Sequence, residues 1–451
     1  MLTDGTGTRT VWNKTYSISR GDPAISLDDV ASGAACTVTE TKTGGANSTT
    51  VTLGSGSPSV ETTASFTSPP SATQYDVVVT NEFDEDPVTV TKTRDGAGAA
   101  LYGAGPFEVS LSCTRDVSGV PTAVVVPGGA TRSLDSTDTY QATYAGLPAG
   151  ADCTATETKT GGANSTTISP ATFTTSASTP TDIEVTNTFD EGSISVNKTI
   201  LGAGSLLYGN GPFESTLACT QDIDGSTVPV TIPGGSTRAL TGLNGYANTY
   251  DQLPAGASCT VTESKTGGAT STTFTTSATA VSVVANSTTA VDLSNEFDVG
   301  YITVDNLVTG NDAKRHYPDT YDVVLSCTEM VDGVATPITI PSGATRDIWH
   351  QTSITYDDLP IGATCGLVES VTNHAQSVLV TWHGIPVPGN SVTVGDPDFV
   401  IHVVNVYNIA LGFTGVSVAV PFALGLLAVL IGLLAVGGAA IRRRFWRPRE
   451  R

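Results

Sequence analysis

One phrase recurs four times along this chain, and it constrains the architecture more than any other feature. LPAGADCTATETKTGGANSTT begins at Leu147, LPAGASCTVTESKTGGATSTT at Leu253, VASGAACTVTETKTGGANSTT at Val30 and LPIGATCGLVES at Leu359. Closing phrases recur with it: VTNEF at 79–83, VTNTF at 185–189, LSNEF at 293–297 and VVNVY at 403–407. Opening phrases do the same, with VTVTKT at 88–93, SISVNKT at 193–199 and YITVDNL at 301–307. Self-similarity at a fixed period means tandem copies of one structural unit. Whole units are expected over 86–190, 191–298 and 299–408, preceded over 1–85 by the C-terminal half of another.

Within a unit the apolar residues alternate. Phe107, Val109, Leu111 and Cys113 share one parity, as do Tyr321, Val323, Leu325 and Cys327. Period two marks half-buried strands, and several such strands separated by Gly/Pro/Asp turns predict an all-β, Ig-like sandwich for each repeat. Low charge (14%) and abundant glycine suit that class. No stretch before Val416 has helical periodicity, so the only helix expected is C-terminal.

Residues 416–441 are 26 in number and carry no charge, enough for a helix to span the ~30 Å hydrocarbon core. Six arginines crowd the last ten positions, 442–451, and neither Lys nor Arg occurs between Thr381 and Gly415. The positive-inside rule puts that tail in the cytoplasm and the repeats outside, with the membrane as partner through 416–441. The linker 409–415 contains Leu411, Gly412, Phe413, Thr414 and Gly415. Pentapeptide, apolar span and basic tail in that order resemble a sortase cell-wall sorting signal. The resemblance implies transpeptidation at Thr414–Gly415 by a sortase, with peptidoglycan as acceptor. The family has Pro or Ala where this chain has Gly412, and an uncleaved membrane anchor is the alternative.

Cysteines fall into register. Cys113/Cys153, Cys219/Cys259 and Cys327/Cys365 are 40, 40 and 38 residues apart, and each lies on the apolar parity of its strand. In an oxidising exterior the expectation is one disulfide per unit, with buried free thiols as the alternative. Cys36 aligns with Cys153 and Cys259, so its partner is expected upstream of Met1. The start, MLTDGTGTRT, has no apolar signal-peptide core, so the chain reads as part of a longer protein.

Polar residues also occupy apolar parity. Lys92 shares a face with Val88 and Val90, and Lys198 with Ile194 and Val196. Glu157 and Glu263 follow Cys153 and Cys259 on the same parity, and Asn187 and Asn295 follow Val185 and Leu293. The Lys-to-Glu separation is 65 in both units. Isolated buried charges are costly, so these residues are expected to meet. A first-strand Lys, a Glu in a TET-like strand and a last-strand Asn resemble the Cna protein B-type domains of bacterial adhesins. That resemblance implies an intramolecular Lys–Asn isopeptide bond, with Glu as proton shuttle; a buried ion pair without covalent chemistry is the alternative. The repeats also resemble an actinobacterial surface repeat catalogued only as a domain of unknown function. In the last unit the Lys position is Asn306, beside Glu369 and Asn405, so no bond can form there; the half unit keeps Glu40 and Asn81.

The functional expectation is a structural stalk of a bacterial cell-surface protein, spacing an N-terminal adhesin or enzyme domain from the envelope. Ligand binding through the repeats and a pilin-like subunit are the alternatives, although RHYPDTY at 315–321 has Asp319 where a pilin motif needs Lys. The 441 residues before the arginine cluster carry 42 acidic and 15 basic side chains, which disfavours nucleic acid. Five scattered His and no GxSxG, HExxH or P-loop argue against an enzyme, and no cofactor or metal is expected. The acidic linkers FDED (83–86) and FDEG (189–192) read as solvated turns, with Ca²⁺ binding as the alternative.

Overall fold

Alternation in sequence becomes alternation in burial along the opening strand of the first whole repeat, Glu85–Asp95, where Val88, Val90 and Lys92 point inward. The computed structural model describes residues 2–3, 8–9, 13–28, 30–70, 74–274, 278–382, 384–395 and 400–409. The expected sorting motif at 411–415, membrane span at 416–441 and basic tail at 442–451 lie outside them. Among the described residues no helix is long and apolar enough to cross a membrane.

The first whole repeat is a two-sheet sandwich. One sheet has the order Gln141–Pro148, Glu85–Asp95, Thr181–Thr188, Ser165–Ser169. The other has the order Thr131–Ser133, Glu108–Val117, Asp152–Lys159, Thr172–Thr174, with Val120–Ala123 also pairing Glu108–Val117. The closing strand Thr181–Thr188 runs parallel to the opening strand, with Val185 beside Lys92 and Asn187 beside Arg94. Lys92 and Asn187 therefore stand one step apart on the same inner face. Just past the opening strand, Gly96 has φ +91°, and a Cβ there would lie 2.3 Å from the Phe189 carbonyl oxygen. Glycine is required for so close an approach.

Between the sheets lies a core of Val88, Val90, Val109, Leu111, Leu134, Tyr144, Leu147, Ile183, Val185 and Phe189. Tyr144 is fully buried, and its hydroxyl lies 3.0 Å from the carbonyl oxygens of both Val109 and Ala130, a hydrogen-bond outlet that makes the burial affordable. Arg132 covers the same ring at 4.9 Å.

The second whole repeat follows the same plan, with Glu191–Leu201 parallel to Thr288–Glu296. In the third, Val299–Thr309 is parallel to Val400–Val406. Among the described residues of the half unit there are three two-stranded sheets, Leu2–Thr3 with Thr8–Arg9, Ala35–Thr39 with Thr63–Thr67 and Ser48–Leu53 with Val77–Glu82.

One expectation needs correcting. Helices do occur before Val416, at Ala99–Tyr102 and Ser205–Tyr208. Each is a single turn of four residues flanked by glycines, too short for a 3.6-residue period to show in the sequence.

Candidate cross-linking site

All three expected disulfides are present: Cys113–Cys153, Cys219–Cys259 and Cys327–Cys365. Their residues are directly opposite one another on neighbouring antiparallel strands, so each bridge ties two strands of one sheet. In the chain-entropy model, closing a loop of 40 residues stabilises a repeat by about 4 kcal/mol. Cys36 is free and half-buried.

The Lys, Glu and Asn of the first repeat come together across the sandwich. Lys92 arrives from the opening strand and Asn187 from the closing strand of one sheet, while Glu157 comes from the facing sheet. Lys92 Nζ lies 3.0 Å from Glu157 Oε1, with both side chains essentially solvent-free. The same oxygen accepts from Asn187 Nδ2 at 3.1 Å. Asn187 Nδ2 also donates to the Thr160 carbonyl at 2.8 Å, and Asn187 Oδ1 accepts from Thr166 Oγ1 at 2.8 Å.

The second repeat repeats each contact. Lys198 Nζ donates to Glu263 Oε1 at 2.7 Å, and Asn295 Nδ2 donates to the same oxygen at 3.1 Å. Thr272 Oγ1 donates to Asn295 Oδ1 at 3.0 Å. Burial lowers both lysine pKa values, partly offset by hydrogen bonding and charge attraction from the paired glutamate. A phenyl ring flanks each amine, Phe107 at 4.9 Å and Phe213 at 4.2 Å.

Thr166 and Thr272 escaped the sequence reading. The signal was the NSTT and TSTT ending of the recurrent phrase, but threonine is so frequent in these strands that parity does not single it out.

The third repeat lacks two parts of this arrangement. Asn306 replaces the lysine, and Val378 stands opposite Asn405 where Thr166 stands opposite Asn187. Asn405 Nδ2 donates to Glu369 Oε1 at 2.8 Å and to Asn306 Oδ1 at 3.1 Å. Asn405 Oδ1 and Glu369 Oε2 are buried without a hydrogen-bond partner among the described residues. Burial raises the Glu369 pKa to about 7, against a smaller opposing effect from Asn405.

Among the described residues no group of three His, Cys, Asp or Glu is placed to hold a metal ion. The acidic linkers are partly structural. Asp86 is fully buried and its Oδ2 accepts from the Ser176 amide and the Thr181 hydroxyl. The amides of Asp84 and Asp190 donate to Asn47 Oδ1 and Asn164 Oδ1.

A family model described as "Domain of unknown function (DUF5979)" matches residues 88–190, 194–298 and 302–408. No curated protein matches the chain. Two B repeat units of the collagen binding protein of Staphylococcus aureus align with it at 17% identity, covering 80% of this chain and 94% of theirs, with a TM-score of 0.20. The T-13 major pilin protein of Streptococcus pyogenes aligns at 12% identity over 49% of this chain and 98% of its own, with a TM-score of 0.30. A streptococcal ancillary pilin aligns at 13% identity over 71% and 99%, with a TM-score of 0.26.

Proposed function

The chain belongs to the family described as "Domain of unknown function (DUF5979)", carrying three copies in tandem, and from that premise we propose that it is a covalently stapled stalk on a bacterial cell surface. The observation that carries the proposal is the single glutamate oxygen shared by a buried amine and a buried carboxamide in the first and second repeats.

That geometry suits one reaction. Lys92 Nζ, as neutral amine, attacks Asn187 Cγ. Glu157 Oε1 touches both nucleophile and leaving group, so it takes the proton from Nζ and returns it to Nδ2. Negative charge develops on Asn187 Oδ1, where the Thr166 hydroxyl already donates. The Cγ–Nδ2 bond breaks and ammonia leaves, so each new Lys–Asn amide lowers the mass by about 17 Da. Lys198, Glu263, Asn295 and Thr272 would perform the same steps in the second repeat.

A bond between opening and closing strands suits a load-bearing rod. Tension enters a repeat through its opening strand and leaves through its closing strand. The cross-link passes force directly from one to the other, so the chain between Lys92 and Asn187 bears none. The disulfide ties two strands inside that bypassed segment and contributes stability without carrying load.

The charge-free run 416–441 and the arginine tail support membrane anchoring of the stalk, and 411–415 supports processing at Thr414. Cell fractionation tests this: Thr414→Ala should move the protein from the cell-wall to the membrane fraction. An unchanged distribution would leave the uncleaved anchor. For the cross-link, Glu157→Ala should retain ammonia in the first repeat, and full mass loss in that variant would remove the glutamate from the mechanism.

A further inference from the structure

Asn187 is held by a group whose own support comes from the second repeat. Its Nδ2, the leaving group of the proposed reaction, donates to the Thr160 carbonyl at 2.8 Å. That carbonyl shares a planar trans peptide with the Gly161 amide, so the two point in opposite directions. The carbonyl faces Asn187, and the Gly161 amide donates to Asp224 Oδ2 of the second repeat at 3.2 Å. Asp224 Oδ1 accepts from the Thr160 amide at 2.8 Å and from the Thr160 hydroxyl at 3.2 Å. One carboxylate therefore grips the amides on both sides of the carbonyl that orients Asn187.

The turn needs such a grip. Gly161 and Gly162 have φ +64° and +81°, and two successive glycines restrain their own backbone least. The turn is wedged between the repeats. A Cβ on Gly161 would lie 2.8 Å from the Phe107 ring, which flanks the Lys92 amine. One on Gly162 would lie 3.1 Å from Ile223, next to Asp224. Gln221 Nε2 donates to the Gly162 carbonyl at 3.1 Å and Asn164 Nδ2 to the Ala255 carbonyl at 2.9 Å, so further bonds seat the second repeat here.

The same contacts recur around the second triad. Asn295 Nδ2 donates to the Thr266 carbonyl at 2.9 Å, and the Thr266 amide donates to Asp332 Oδ1 at 2.8 Å. Asp332 lies in the segment Met330–Val334, which packs with the first two repeats. The third repeat, without the lysine, is wired differently. Its Thr372 follows Glu369 by three residues, as Thr160 follows Glu157, but the Thr372 carbonyl accepts from the Tyr407 hydroxyl at 2.6 Å. Asn405 Nδ2 turns instead to Glu369 and Asn306.

We propose that Asp224 positions the Asn187 carboxamide through the Thr160–Gly161 peptide, so that the docked second repeat speeds closure of the first, and that Asp332 does the same for Asn295. The effect on closure rests on the amide reading above; the positioning rests on the contacts alone. As Lys92 Nζ bonds to Asn187 Cγ and the Cγ–Nδ2 bond breaks, Nδ2 gains the proton carried by Glu157 and leaves as ammonia. Positive charge grows on Nδ2 during that transfer. The Thr160 carbonyl, already its acceptor, stabilises the charged nitrogen more than the neutral carboxamide. The first repeat therefore closes fast only against a folded second repeat.

Ammonia loss in the full chain tests this, followed by mass against time after refolding and mapped to the peptides joining Lys92 to Asn187 and Lys198 to Asn295. Serine suits the left-handed backbone of Asp224, since Ser118 holds the same hairpin place in the first repeat at φ 57°. Asp224→Ser should slow closure of the first repeat at least about tenfold and leave the second at its normal rate, and Asp332→Ser should do the reverse. Unchanged rates overturn the inference, as does equal slowing of both repeats by either variant. A second readout does not need the reaction. In a Lys92→Met chain, which keeps its ammonia in the first repeat, Asp224→Ser should speed hydrogen exchange of the Asn187 carboxamide at least about tenfold, read by NMR with isotope-labelled asparagine. Unchanged exchange overturns positioning by Asp224. Faster exchange, combined with an unsubstituted chain that loses no ammonia, upholds the positioning and rejects the amide reading.

Discussion

With Lys92 joined to Asn187 and Lys198 to Asn295 as proposed, stretching the chain should unfold one whole repeat and spare two. The first and second repeats have an amine beside the carboxamide at the junction of opening and closing strands; the third has Asn306 there and cannot be bridged. Tension on the third repeat is resisted by noncovalent contacts only, chiefly the parallel pairing of Val299–Thr309 with Val400–Val406 and the Asn405–Asn306 hydrogen bond. Once that pairing shears, the 107 residues matched at 302–408 extend at roughly 3.6 Å each, except those locked inside Cys327–Cys365 with its separation of 38. Allowing for the native end separation, the contour gain should be about 220 Å with the disulfide intact. Reduction should release about 140 Å more from the same repeat. Single-molecule force spectroscopy of the chain, tethered at both ends with and without reductant, reads both lengths. Three extension events of that length would refute the reasoning, because the first two repeats would then be unstapled. An inextensible third repeat would refute it equally.

Other outcomes are specific to single groups. Thr166→Val should slow ammonia loss in the first repeat about 10²–10³-fold, the effect of deleting one oxyanion donor, followed by mass against time after refolding. Asn306→Lys combined with Val378→Thr should give the third repeat its own cross-link and remove a further ~17 Da; an unchanged mass would show that Glu369 and Asn405 are not competent. Reducing the disulfides should cost each repeat about 4 kcal/mol, measured by denaturant unfolding with and without reductant. Glu369 binds its proton more tightly folded than unfolded, so its contribution to stability is complete below about pH 4.5 and is lost as pH rises to about 7. The third repeat should lose about 3 kcal/mol across that window, and Glu369→Gln should abolish the dependence in pH-resolved unfolding.

Repetition made much of this legible in the sequence. Aligning the recurrent phrases put Cys113 with Cys153, and parity placed Lys92, Glu157 and Asn187 in a core because each follows two apolar residues two apart. Parity gives the face of a strand but not its sheet. It therefore could not show that the cysteines face each other within one sheet, or that Glu157 reaches across to the other two residues. Tyr144, Tyr250 and Tyr356 were visible as a tyrosine three residues before each LP, yet their role required knowing which carbonyls the hydroxyls reach. The decay of the third repeat was half legible. Loss of the lysine is plain at Asn306, whereas loss of the threonine appears only when strand register brings Val378 opposite Asn405.

The most direct test of the stapled stalk is the intact mass of the full chain after reduction and denaturation. Two Lys–Asn bonds predict a mass about 34 Da below that of the sequence, with the losses mapping to peptides joining Lys92 to Asn187 and Lys198 to Asn295. A mass equal to that of the sequence would contradict the account and leave each triad a buried ion pair.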